Sequence, residues 1–190
     1  MPKAIKNKPV DLKLYFLVMR VQVGNDQAFR ELYELFNKSS LRFLQNLVKG
    51  DEAQDLNQDL WLTIYKQIAG LSEPKRFKTW LFQIARNKAL DYFRSAKRMG
   101  EFHEMMAHDS EEVINPLDDD LALDKNTLLY EALATLSTKL REAIALNFLE
   151  GMDYEEIALI TGCSIGTVKS RLHNAKLKIK ERIKTKIEES

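Results

Sequence analysis

The sequence has 190 residues, 45% of them apolar and 30% charged, with a net charge of +1. That length suits one or two small domains, and that composition excludes wholesale disorder. A charge so near zero excludes a uniformly basic surface, and a lone cysteine, Cys163, excludes an internal disulfide and fits a reducing cytoplasm.

Residues 1–10 are polar and basic with two prolines and read as a loose tail. The apolar run Leu14–Met19 is short and flanked by Lys13 and Arg20, so it is not a convincing secretory signal. No stretch is long enough to span a bilayer. Residues 11–98 alternate long helical patterns with short breaks. Gly24-Asn25-Asp26 ends the first helix and caps the second, and Gly50-Asp51 does the same ahead of the third. The third helix sets Asp51, Asp55 and Asp59 four apart on one face, with Glu52 beside them. Like charges at that spacing repel, and the helix dipole favours acids only in the first turn. An acidic, Gln-bearing face suits a basic partner; a mildly acidic first turn is the plainer alternative.

The loop from Gly70 to Lys75 holds Ser72 and Pro74, and a fourth helix is expected over about 77–98. Phe77, Leu81, Ile84, Ala85, Lys88 and Tyr92 share one face of it, while Thr79, Gln83, Asn87 and Asp91 line another. The basic stretch Lys75-Arg76-Phe77-Lys78 ends beside aromatics, with Trp80 read as core packing. Cations hold phosphates and pockets receive unstacked bases, so the combination suits single-stranded nucleic acid. A solvated polar face accounts for the ladder about equally well.

Residues 99–124 are acidic, from Glu101 to Asp124, with Asn115-Pro116 in the middle, and read as a linker. Helices follow over about 125–136, 138–149, 154–161 and 165–186. The strongest local signal lies in DYEEIALITGCSIGTVKSRLHNAK, residues 153–176. Asp153 and Glu156 form a capping-box pair, Gly162 suits a left-handed helix end, and Ser164 suits the next cap. Ile157 and Ala158 supply an inner face, and Ile165, Val168, Leu172, Ala175 and Ile179 form a buried stripe on the second helix. The opposite face offers Thr167, Lys169, Ser170, Arg171, His173, Asn174 and Lys176, residue types that hold phosphates and read base edges. The layout is a helix-turn-helix with its second helix in the major groove. Two packed helices with a solvated basic face are the plainer and weaker reading. Cys163, in the turn, reads as a small, mostly buried thiol.

No Walker loop, HExxH or paired cysteines occur, and His103, His108 and His173 are scattered. An enzyme is not expected, nor any catalytic, cofactor-binding or metal-binding residue. The fold expected is all-α: two small helical domains, 11–98 and 125–187, on an acidic flexible linker.

Three segments then resemble one family, the extracytoplasmic-function (ECF, group IV) sigma factors of the sigma-70 family. DEAQDLNQDLWLTIYKQI resembles the helix that grips the clamp of core RNA polymerase. FKTWLFQIARNKALDYFRSAKR resembles the helix that melts and reads the −10 element. LREAIALNFLEGMDYEEIALITGCSIGTVKSRLHNAKLKI resembles the −35-binding domain. The resemblance covers about 20–185. It implies a sigma-2-like domain at 11–98 and a sigma-4-like helix-turn-helix domain at 125–187. By position it implies polymerase contacts at Asp55, Gln58 and Asp59. It implies −10 contacts in the loop before the fourth helix and at its base-contacting end, Lys75, Arg76, Phe77, Lys78, Thr79, Asn87 and Asp91, and −35 contacts on the polar face of the last helix. The family often has Arg where Lys169 stands, and Lys cannot make the same bidentate fork.

The partners implied are core RNA polymerase, through its clamp and flap, and promoter DNA, duplex at −35 and single-stranded at −10. An anti-sigma factor that clamps the two domains is also implied, with a cytoplasmic location and no membrane insertion. The linker acids are expected to thread the positively charged active-site cleft of the polymerase. A stand-alone helix-turn-helix regulator with an N-terminal sensor or dimerisation domain is the competing reading. Such a regulator would bind its site without polymerase.

Overall fold

A computed structural model describes residues 11–48, 50–98 and 132–188. The expected tail at 1–10 and the expected linker at 99–124 lie outside them. Among the described residues, the α-helices with both ends placed are α1 (Leu12–Gln22), α2 (Asp26–Leu47), α3 (Glu52–Gln67), α4 (Phe77–Arg98), α5 (Thr138–Ile144), α6 (Tyr154–Thr161) and α7 (Ile165–Glu188). No strand occurs among the described residues.

The first four helices form one group. Asp11 caps α1 by accepting from the Leu14 amide, and Asn25 caps α2 by accepting from the Ala28 amide. Gly24 between them has φ +85°, which lets the chain reverse. Asp51 sits at the start of α3 but its side chain makes no capping bond, so Gly50-Asp51 breaks the chain without capping it. Along α2, Ala28, Leu32, Phe36, Phe43, Leu44 and Leu47 return at helical spacing and are all buried. They meet Ala53, Leu60 and Ile64 of α3 and Phe77, Leu81, Phe82, Ala85 and Ala89 of α4. Aromatic rings lock the seam edge to face: Phe43 on Phe82 at 5.2 Å and Phe36 on Phe77 at 5.5 Å. Each large side chain buried this way contributes about 1.5–3 kcal/mol.

One polar chain crosses this core. The Trp61 indole donates to Ser40 Oγ at 3.3 Å, and Ser40 Oγ donates to Asn57 Oδ1 at 2.7 Å. Asn57 Nδ2 then donates to Asn37 Oδ1 at 2.7 Å. Gln22 pins the end of α1 to the loop before α4, donating to the carbonyls of Ile68 and Leu71 at 3.0 and 2.7 Å.

The second group holds α5–α7. Residues 138–149 were expected as one regular helix, but α5 gives way at Ala145 to a wide π turn through Leu149. The Glu150 amide reaches back five residues to Ala145, and the Met152 amide reaches Leu146. This extra residue per turn leaves Phe148 and Leu149 exposed. Of the helix expected over 125–136, residues 132–134 are helical and 125–131 are outside the described set. Val168, Leu172 and Ala175 of α7 are buried against Ile157 and Ile160 of α6. Ile165, expected in that stripe, is 38% exposed at the first position of α7.

The two groups pack on each other. α4 lies along α6, and α5 sits against α2. Arg141 of α5 is buried and donates to the carbonyls of Leu136 at 2.7 Å, Ala134 at 3.4 Å and, across the boundary, Asn46 at 3.3 Å. Burial lowers its guanidinium to about 10, which leaves it charged at neutral pH.

Candidate nucleic-acid and polymerase interface

The helix-turn-helix is built from its ends. Asp153 Oδ1 accepts from the Glu156 amide at 2.8 Å, and Glu156 Oε2 accepts from the Asp153 amide at 3.0 Å, a complete capping box. Gly162 ends α6 at φ +65°, where an L side chain is strained. Ser164 Oγ accepts from the Thr167 amide at 3.1 Å and starts α7. A Gly162→Ala chain is expected to lose about 1–2 kcal/mol. No atom lies within 4 Å of the added Cβ, so a thermal melt reads the backbone term alone.

On α7, Lys169, Ser170, His173, Asn174 and Lys176 are exposed together on one face, with Thr167 and Arg171 half-buried at its edge. Burial raises the Glu142 carboxyl, and the charges of Arg86 and then Arg171 oppose that rise. Lys176 also stands 5.0 Å over the Phe148 ring. Behind this face α7 and the π turn enclose a groove of about 400 Å³, lined by Leu133, Ile144, Phe148, Leu149, Ile179 and Ile183 and rimmed by Lys176 and Lys180. Sequence reading missed it, since a regular helix over 138–149 gives no reason for an exposed Phe148-Leu149 pair.

In the first group, Lys75 and Arg76 are exposed in a short helical turn before α4 and share Glu73, at 3.6 and 2.9 Å. Such exposed pairs leave both cations free to exchange Glu73 for another anion at little cost. Asn87 and Asp91 are exposed farther along α4, where Asp91 pairs with Arg94 at 2.7 Å. Two expected site residues are not on the surface. Phe77 is fully buried against Phe36, because it opens α4 and faces the core. Thr79 is 7% exposed and donates to Glu156 Oε1 at 3.2 Å, because α6 covers that flank of α4. Lys78 is held by Glu150, through its carbonyl and, at 3.2 Å, its carboxylate. Trp80 is partly buried against the core, tilted on Phe77 at 6.1 Å.

On α3, Asp55, Gln58 and Asp59 are exposed and face outward together. Gln58 also borders a shallow hollow of Phe29, Tyr33, Trp61, Leu62 and Tyr65, in which the rings of Phe29 and Tyr65 stack edge to face at 5.0 Å. The acids therefore stand beside an aromatic patch, a pairing of anchor and charged rim that suits a protein partner. Cys163 is half-buried in the turn, with its sulfur 3.1 Å from Thr161 Oγ1. Among the described residues, no cluster of His, Cys, Asp or Glu could hold a metal, and no helix is long and apolar enough to cross a membrane.

The "Sigma-70 region 2" family model matches residues 29–99, spanning α2 to α4, and the "Sigma-70, region 4" model matches 126–179, spanning the helix-turn-helix. The chain is 30% identical over 176 residues to the ECF RNA polymerase sigma-E factor of Haemophilus influenzae, covering 88% of this chain and 93% of that one. This chain belongs to the ECF sigma factors. It is also 29% identical to the sigma-E factor of Escherichia coli K12, over 88% of this chain and 92% of that one. Among solved structures it is similar to the sigma factor RpoE in complex with the anti-sigma factor NepR from Bartonella quintana. That match has 32% identity and a TM-score of 0.65, over 82% of this chain and 96% of that one. The fold is also shared with CnrH in complex with the cytosolic domain of CnrY, at 22% identity and a TM-score of 0.64, over 90% of this chain and 97% of that one. As an ECF sigma factor, the chain directs transcription initiation and belongs to a family without enzymatic activity of its own.

Proposed function

We propose that this sigma factor binds core RNA polymerase through Asp55, Gln58 and Asp59 of α3 and grips the promoter at two points. The observation that carries the reading is the pairing, on one chain, of an exposed recognition face on α7 with a basic loop that leads into α4. Thr167, Lys169, Ser170, Arg171, His173, Asn174 and Lys176 dock on −35 duplex, where cations fix register on phosphates and Asn174 reads base edges. Lys75 and Arg76 hold the backbone of the unpaired −10 strand, and Asn87 and Asp91 contact its bases. Phe77 supports that loop from the core. Lys78 and Thr79 join the surface when α6 leaves it. The apolar groove behind α7 suits a helix of the polymerase flap. The polymerase supplies the chemistry of RNA synthesis, and this chain supplies position. The work takes place in the cytoplasm, and an anti-sigma factor that covers the same faces would hold the protein inactive.

Reconstitution tests the whole reading. Core polymerase with this chain is expected to give promoter-directed run-off transcripts from genomic DNA, and core alone none. A chain that binds a promoter tightly without polymerase and gives no transcript with it is a stand-alone regulator. Within the active holoenzyme, Lys169→Ala should weaken −35 binding and lower the slope of log affinity against log salt by about 1. A slope equal to the parent's would remove Lys169 from the phosphate contacts.

A further inference from the structure

The first helix has two apolar faces. Leu14, Leu17, Val18 and Val21 of α1 turn inward to the core. Leu12, Phe16, Met19 and, at the C-cap, Val23 turn outward, and are 62%, 58%, 42% and 84% exposed. Apolar residues scattered singly over a surface need no explanation, but these are in line. They follow one another at intervals of four, three and four residues, the spacing of alternating d and a positions in a coiled coil. At about 100° per residue they fall within an arc of about 60°. An apolar face that meets a broad medium is at least about 100° wide, whereas a strict a/d stripe is a seam for one helix. Arg20 reaches Glu31 on α2, and one turn farther from the bend on each helix stand Phe16 and Leu35, both more than half exposed. The seam therefore has an apolar shoulder on α2.

The charges beside the seam select its occupant. With Leu12 and Met19 at d and Phe16 and Val23 at a, Lys13 and Arg20 both take position e, while Tyr15 and Gln22 both take g. Lys13 is exposed, and Arg20 is held by a solvent-facing pair with Glu31 at 3.5 Å, which exchanges at little cost. On the other edge, Gln22 is committed to the carbonyls of Ile68 and Leu71, and the Tyr15 ring stands edge-on to Phe16 at 5.5 Å. One edge is basic and the other uncharged. In an antiparallel pair e faces e, so a second copy would set Lys13 and Arg20 against their own like. In a parallel pair e faces g, and a second copy offers only Tyr15 and Gln22. Acids at the e or g positions of a different helix answer both cations. We infer that the outer face of α1 is the docking seam for an acidic amphipathic helix of a partner protein. Leu12, Phe16, Met19 and Val23 interlock with its apolar a and d residues, and Lys13 and Arg20 pair with its acids. None of these residues belongs to the polymerase or DNA contacts proposed above, so the partner rides on the holoenzyme rather than displacing it.

The test titrates the full chain with two labelled helical peptides of about three heptads, read by fluorescence anisotropy. Both carry Leu at a and d. One has Glu at every e and g and the other Lys, so that self-repulsion keeps each from pairing with itself. The acidic peptide is expected to bind about tenfold more tightly than the basic one, with the gap closing at high salt. Phe16→Ser/Met19→Ser removes the two middle apolar residues and should weaken the acidic peptide by about tenfold or more. Lys13→Glu/Arg20→Glu should reverse the preference, a result that a merely sticky surface does not give. Both variants change exposed side chains, and run-off transcription by their holoenzymes should match the parent. Equal affinity for the two peptides, binding of neither up to about 1 mM, or affinities untouched by both variants would overturn the inference. So would a dimer in sedimentation that Phe16→Ser/Met19→Ser abolishes, which makes a second copy the occupant. Tighter capture by phosphatidylglycerol vesicles than by the acidic peptide makes it a lipid surface, and lost transcription in the variants makes it the polymerase; either result overturns the inference.

Discussion

Replacing Phe82 with Ala is expected to destabilise the protein by about 3–5 kcal/mol in urea titration, at unchanged m-value. Phe82 is fully buried on α4 and stands edge to face on Phe43 of α2. The substitution removes the ring, its contact with Phe43 and the volume between two long helices. Neither helix can close the gap easily. Phe43 is fixed within a run of buried neighbours on α2, and α4 is pinned on its other flank by Phe77 and Leu81. Phe82→Leu keeps much of the volume and should cost markedly less. A loss under about 1 kcal/mol for Phe82→Ala would mean that α2 and α4 do repack, and that their spacing is not set by this pair.

The second large effect is on assembly. Asp55→Lys/Asp59→Lys is expected to weaken association with core polymerase about a hundredfold, since like charges brought together cost several kcal/mol. Both acids are exposed, and among the described residues neither is in an ion pair, so the fold should be unaffected and a thermal melt should match the parent. Titration of labelled sigma factor into core polymerase reads the change directly. The affinity should recover partly at high salt, where repulsion is screened. Undiminished binding would move the clamp contact off Asp55 and Asp59, with the neighbouring hollow of Tyr33, Leu62 and Tyr65 as the remaining anchor.

What the sequence disclosed follows from the range of each signal. The helix-turn-helix was legible because its determinants are local: Asp153, Glu156 and Ser164 act within three residues of the backbone groups they satisfy, and Gly162 acts through its own φ. The core face of α4 was legible because Phe77, Leu81 and Ala85 share one period. Periodicity says which residues share a face, not what covers it. Thr79 therefore read as solvated like Gln83 and Asn87, although α6 lies over it. Phe77 belongs both to a basic loop and to an apolar period, and the period won. The exposed Phe148-Leu149 pair was hidden because a π turn breaks the 3.6-residue register on which the reading depended. The contacts of Glu142 and Glu150 with Arg86 and Lys78 join residues 56 and 72 positions apart, and no local pattern encodes such a pair.

The polar thread through the first core has a consequence for the surface above it. Asn37, Ser40, Asn57 and Trp61 act as a key in a keyway between α2 and α3. An apolar seam tolerates a small slide or roll of one helix past the other. This one does not, since either motion would orphan a buried donor or acceptor at the cost of its desolvation, about 1–3 kcal/mol. Asn57 and Trp61 alternate along α3 with Asp55, Gln58 and Asp59. The bearing of those outward groups is therefore dictated from within. A substitution such as Asn57→Leu could leave every surface residue in place and still misaim them, so that the helix arrives at its partner turned to the wrong hour.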